Sequence, residues 1–168
     1  MPAAEQNLND KRYHIIPRVL VFTFRADQVL LIELLPKNGK LTRWTGKLNG
    51  PGGHVEQGED LLSTARRELL EETGLTADLS LVGTIMVNAS PGLGIGLFVF
   101  KGINPRGELC GSPEGSPHWI GLDELERLPV VDDVVLILEA IRKMEPGDGP
   151  FSGHSYYNEA GDLVVVLE

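Results

Sequence analysis

Glu68, Glu71 and Glu72 place three carboxylates within five consecutive residues. On a helix, residues four apart stack on one face and residues three apart lie beside them, so the E-x-x-E-E run brings the three acids together. Like charges at that spacing destabilise an isolated helix. Two readings follow: a solvated acidic face, or a seat for a hard divalent cation. Mg²⁺ takes an octahedron of oxygens, keeps several waters and completes its shell with substrate phosphate. On the second reading the chemistry on offer is metal-assisted reaction at a phosphate.

A helix must hold these acids. Leu61, Leu62, Ala65 and Leu69 recur at i, i+1, i+4 and i+8, which predicts one running roughly from Asp60 to Thr73 with an apolar stripe for a core. Gly74 ends it, since a residue without Cβ accepts the left-handed C′ conformation. Upstream, Leu48 to Val55 (L-N-G-P-G-G-H-V) packs three glycines and a proline into eight residues. That density predicts special backbone angles or close backbone approach, and the Gly53 carbonyl is a plausible metal ligand.

Gly53, Glu59, Arg67, Glu68, Leu69, Glu71, Glu72, Gly74 and Leu75 fill the pattern G-x5-E-x7-R-E-U-x-E-E-x-G-U, where U is aliphatic. By composition alone, these nine positions match by chance on the order of once in a million. The stretch resembles the Nudix box. The resemblance implies an α/β fold, the Nudix α/β/α sandwich with a mixed β-sheet. It also implies hydrolysis of phosphoanhydride bonds in a nucleoside diphosphate linked to a further group, with Mg²⁺ (or Mn²⁺) as cofactor. Glu68, Glu71 and Glu72 would then ligate the metal with the Gly53 carbonyl. Arg67 would orient the carboxylates, and Glu59 and Gly74 would support the box.

A second resemblance is to the oxidised-purine nucleoside triphosphatases of that family. Pro113 to Leu125 (P-E-G-S-P-H-W-I-G-L-D-E-L) is similar to a stretch in which a glutamate five residues before a tryptophan reaches back to the metals; here the pair is Glu114 and Trp119. Glu68, Glu71 and Glu114 are candidate general bases. K-L-N-G-P-G-G-H-V resembles W-N-G-x-G-G-K-V, which gives Asn49 a base-reading role. Asp132 and Asp133 match the paired aspartates that bind the oxidised purine, against the alternative of a helix cap. The chain departs from that group at Leu48 and Val130, where tryptophans would stand, and at His54, where a lysine would. Phe151 to Tyr157 (F-S-G-H-S-Y-Y) resembles a C-terminal F-x-G segment and offers an aromatic wall.

The chain has 15 Lys and Arg against 24 Asp and Glu, a formal net charge of -9. Such a surface does not advertise binding to a nucleic-acid duplex or an anionic membrane. Within it, Lys37, Lys40, Arg43 and Lys47 gather four cations in eleven residues. They are either a solvated loop or a phosphate clamp for the substrate. Cys110 is the only cysteine, so no internal disulfide forms. Its four histidines lack ligand spacing, and Met1 to Arg12 has no apolar core of a signal peptide. A cytoplasmic protein is expected, and the family resemblance makes a homodimer a candidate assembly.

Residues 1–13 are expected to be a flexible N-terminal tail and 14–168 a single domain. Strands are predicted at Arg18 to Phe24, Gln28 to Leu35, Leu79 to Asn88 and Ile95 to Lys101, with a loop over 102–117. A short strand follows at Trp119 to Leu122 and a short helix at Leu122 to Arg127. A second amphipathic helix is predicted from Val130 or Asp132 to Met144. The last hairpin joins His154 to Tyr157 with Leu163 to Leu167.

The expected activity is Mg²⁺-dependent hydrolysis of a nucleoside triphosphate to a monophosphate and pyrophosphate, with 8-oxo-dGTP the favoured substrate. Alternatives are ADP-ribose or nucleotide sugars, dinucleoside polyphosphates, and a non-catalytic binding module on the same fold.

Overall fold

A computed structural model describes residues 11–36 and 38–168. Lys37 and residues 1–10 of the expected tail lie outside the described residues. Of the rest of that tail, Tyr13 donates from its hydroxyl to Asn88 at 3.2 Å.

β1 (His14–Arg25) and β2 (Gln28–Leu34) form a hairpin that is paired only at its tip, Phe24 with Val29 and Arg25 with Gln28. Beyond the tip the strands part. β1 takes β5 (Leu93–Gly107) as a parallel neighbour from His14 to Thr23. β2 pairs antiparallel with β3 (Leu48–Asn49) and with β6 (Gly115–Gly121). β4 (Leu75–Ser90) runs antiparallel to β5 and parallel to β7 (Phe151–Tyr157), and β8 (Leu163–Leu167) closes that side. The order is β3-β2-β1-β5-β4-β7-β8, with β6 beside β2.

β1 is apolar on both faces because both are covered. Val19 and Val21 pack with Ala65 and Leu69 of α1 (Leu61–Thr73), while Leu20 and Phe22 pack with Val134, Ile137, Leu138 and Ile141 of α2 (Val134–Lys143). One helix on each face of a mixed sheet is the expected α/β/α arrangement. α1 begins at a built cap: Asp60 Oδ1 accepts from the Leu62 and Ser63 amides at 2.9 Å each. It ends at Gly74, left-handed at φ 73°, whose N–H donates to the Leu70 carbonyl at 2.9 Å.

Several strands are longer than expected. β4 starts at Leu75 rather than Leu79, and β5 runs on to Gly107, into the segment predicted as loop. A polar clasp sustains the extension: Asp78 accepts from Arg106 Nη2 at 2.6 Å and from Asn104 Nδ2 at 2.8 Å. β6 starts at Gly115 rather than Trp119, and its Pro117 is tolerated because β6 is bonded to β2 alone. The short helix shrinks to a 3₁₀ turn at Leu125–Arg127, and α2 begins only at Val134. Among the described residues no helix is long and apolar enough to cross a membrane.

Candidate active site

Where β1 and β2 part, the glycine-rich segment fills the gap. The Val21 amide donates to the Pro51 carbonyl at 2.8 Å, Val19 to Gly53 at 2.9 Å and Val55 to Pro17 at 3.1 Å. The segment thus runs against β1 backbone to backbone, which leaves no room for side chains. A Cβ on Gly50 would meet the Val21 carbonyl oxygen at 2.8 Å, and one on Gly52 would collide with the Val19 carbonyl. Close approach, not a left-handed backbone, is what these glycines serve; none of the three has positive φ.

This segment faces the acids of α1. Gly52 N–H donates to Glu72 Oε2 at 2.8 Å, and a Cβ on Gly53 would strike the Glu68 carboxylate. Arg67 ties the assembly. Its Nε and Nη2 grip Glu59 at 2.7 and 2.9 Å, and Nη1 reaches Glu68 at 2.9 Å and Glu71 at 3.2 Å. Nη2 also donates to the His54 carbonyl at 3.2 Å. Glu59 further accepts from Thr64 Oγ1 at 2.8 Å and the Glu56 amide at 3.2 Å, so loop and helix are clamped together. These donors, Arg67 first, hold the Glu59 carboxyl down at about 2.

The electrostatics single out Glu72. It is 5 % exposed, and burial, reinforced by the charges of Glu68, Glu114 and Glu71, pushes its carboxyl up to about 7. Burial raises Glu68 as well, against the pull of Arg67. Glu114, just before β6, therefore acts on the same acids from another element. Its carbonyl is fixed by the Leu35 amide at 3.1 Å.

The acids are neighbours but do not close on one point: among the described residues no three Asp, Glu, His or Cys side chains form a metal-gripping group. Arg67 spans Glu68 and Glu71, and Glu72 is turned to the loop amide. The donor set still fits a hard cation. Glu72 is a desolvated carboxylate raised by like charges, the condition a divalent ion relieves. The Gly53 carbonyl, with one bond from Val19, keeps a second lone pair.

Glu72 and Glu114 share a cavity of about 670 Å³ with Asn49, Gly52 and Asp133. Asn49 Oδ1 accepts from the Gly50 amide at 2.9 Å, which leaves its NH₂ donors toward a ligand. Asp133 stands at the start of α2 without a side-chain capping bond. Burial first, then the Asp132 charge, pushes its carboxyl up. Asp133 thus holds the N-cap position of α2 without capping it through its side chain. Asp132 is paired with Lys47 at 2.7 Å and Arg43 at 3.5 Å.

That pairing engages two of the four cations of the expected phosphate clamp. Arg43 and Lys47 are drawn onto Asp132 and the Trp44 ring, and neither lines the cavity, because an adjacent carboxylate and aromatic face satisfy them locally. Among the described residues the Lys or Arg that lines it is Arg18, within β1, which sequence reasoning missed; only its place at the edge of the apolar run of that strand could have signalled it. Trp44 and Tyr157 also line the cavity. The C-terminal segment had suggested an aromatic wall; Trp44, in the loop after β2, had not been expected there.

A family profile described as the NUDIX domain matches residues 14–139. The chain is 36% identical over 115 residues to the oxidized purine nucleoside triphosphate hydrolase of Danio rerio, covering 65% of this chain and 72% of that protein. It is 40% identical over 83 residues to the protein of the same name from Mus musculus, covering 48% of this chain and 53% of that one. The fold superposes on the Mutator MutT protein of Bacillus halodurans with a TM-score of 0.75 at 28% identity, over 92% of this chain and 98% of the other. With the complete box clamped by Arg67 on an α/β/α frame, and with these relatives, the chain belongs to the Nudix family of hydrolases, enzymes that cleave phosphoanhydride bonds.

Proposed function

We propose that this enzyme hydrolyses a nucleoside triphosphate to a nucleoside monophosphate and pyrophosphate, with Mg²⁺ as cofactor and oxidised purine nucleotides such as 8-oxo-dGTP preferred. The observation that carries this reading is one cavity walled by both kinds of group: acids suited to metal and phosphate, Glu72 and Glu114, and edge-reading groups, Asn49 and Asp133. The names of the zebrafish and mouse relatives support it.

Glu68, Glu71 and Glu72, with Glu114 and the Gly53 carbonyl, would hold the cation. When bound, it neutralises phosphate oxygens and lowers the pKa of water. Little covalent work falls to the protein, because phosphoryl transfer is mostly positioning and charge stabilisation. Arg67 and Glu59 do the positioning. Of the candidate bases Glu68, Glu71 and Glu114, Glu114 alone lines the cavity, which makes it the one the geometry favours.

Asp133 reads the base. In this reading it binds as the carboxylic acid, the form toward which burial and the neighbouring Asp132 push it, and that form offers one donor and one acceptor. 8-oxo-guanine presents O6 as acceptor beside N7–H as donor, so both bonds form. Ordinary guanine has acceptors at both places and loses one of them. Initial rates with Mg²⁺ on 8-oxo-dGTP, dGTP, ADP-ribose and diadenosine tetraphosphate test this directly. The expected preference for 8-oxo-dGTP over dGTP is about tenfold or more in kcat/KM, about 1.4 kcal/mol, and Asp133→Ala should bring it close to unity. Equal rates on the two, or a preference for ADP-ribose, would overturn the substrate assignment.

A further inference from the structure

Trp44 and Tyr157 reach the cavity from different elements, the loop between β2 and β3 and the end of β7. The Arg43 guanidinium carbon lies 4.1 Å from the Trp44 ring centroid and 5.1 Å from that of Tyr157. One planar cation therefore bridges two rings on separate rims, each contact within cation–π range. Lys47 Nζ adds a third contact, 5.4 Å from the Trp44 centroid. Asp132 holds both cations, Lys47 at 2.7 Å and Arg43 at 3.5 Å, so the bridge is tied to the residue that precedes Asp133.

The positions where related oxidised-purine triphosphatases carry tryptophan cannot serve here. Leu48 is buried in the core and Val130 packs against the same cluster. We infer that Trp44 and Tyr157 supply the base-stacking surface of this site instead, and that Arg43, fixed by Asp132, is the positioning residue that sets the two rings. This inference rests on the nucleotide reading above and deepens it. Stacking is tolerant of base identity because every base has a π face. Trp44 and Tyr157 therefore supply affinity for the base, whereas Asn49 and Asp133 supply the choice among bases.

The chain has two tryptophans, and the other, Trp119, packs with the cluster beneath α1 under the Arg25 guanidinium and does not line the cavity. Tryptophan emission therefore reports the inference directly. The probes are dGMP, 8-oxo-dGMP and AMP, with deoxyribose 5-phosphate as the base-free control. Expected is quenching by a nucleotide that persists in Trp119→Phe, disappears in Trp44→Phe and is absent with the sugar phosphate. In steady-state kinetics, Tyr157→Ala and Arg43→Ala should each raise KM about tenfold, more than they lower kcat. Arg43→Lys should not restore KM, since an ammonium lacks the planar stacking face. Quenching that survives Trp44→Phe, equal quenching by the sugar phosphate, no quenching by any nucleotide, or an unchanged KM would overturn the inference. A different preferred substrate in the hydrolysis panel would leave the quench by its own monophosphate intact, so the two failures are distinguishable.

Discussion

Glu72→Gln is expected to lower turnover and raise metal-free stability at the same time. Glutamine keeps an acceptor for the Gly52 amide now bonded at 2.8 Å, so the loop stays seated while the charge is removed. Changing groups one step removed from a metal typically costs 10- to 100-fold, so loss of the ligand proposed above should cost at least about 100-fold in kcat. The stability effect has the opposite sign. Burial pushes the Glu72 carboxyl from 4.5 to about 7, so the folded state holds a proton that the unfolded state releases. The chelated wild-type protein is then favoured below pH 4.5 and loses that contribution as pH rises through about 7, roughly 3 kcal/mol in all. Glu72→Gln lacks this loss. Its Tm in EDTA at pH 8 should exceed that of the wild type, and the two should converge toward pH 5. A variant retaining more than about a tenth of wild-type turnover would remove Glu72 from the metal site.

Gly52→Ala should disable the enzyme through the backbone. Its Cβ would collide with the Val19 carbonyl and approach Leu20 Cα at 3.0 Å. These are backbone atoms of a strand buried on both faces, which cannot swing aside. Relief requires the loop to lift from β1, and that withdraws the amide holding Glu72. Overpacking of this kind costs about 1–3 kcal/mol, read as a lower midpoint in urea, and activity should fall by about 100-fold, as for a displaced supporting group. Gly149→Ala is the matched control: its Cβ would meet nothing within 4 Å and its φ is not positive, so it should leave both readouts unchanged. Equal behaviour of the two variants would mean that the loop does not need its close approach to β1.

What could be read from the sequence divides along physical lines. The box was legible because helix geometry converts linear spacing into a cluster, and Asp60, Arg67 and Gly74 act within a few turns of it. The two-sided core was legible from the apolar run of β1. The ends of β4 and β5 were not, because Asp78, Asn104 and Arg106 hold them through polar contacts that leave no apolar alternation. The three glutamates do not close on one point because Arg67, expected to orient the carboxylates, itself spans Glu68 and Glu71. The pairing of Arg43 and Lys47 was not legible because their partner, Asp132, is more than eighty residues away in sequence. Trp44 and Tyr157 meet only through the sheet order, which spacing does not encode.

Analysis of the products of 8-oxo-dGTP, by phosphorus NMR with Mg²⁺ and again in excess EDTA, is the most direct test. The site described here predicts 8-oxo-dGMP and pyrophosphate with Mg²⁺ and no turnover with EDTA. Release of 8-oxo-dGDP and inorganic phosphate, or an undiminished rate in EDTA, would contradict it.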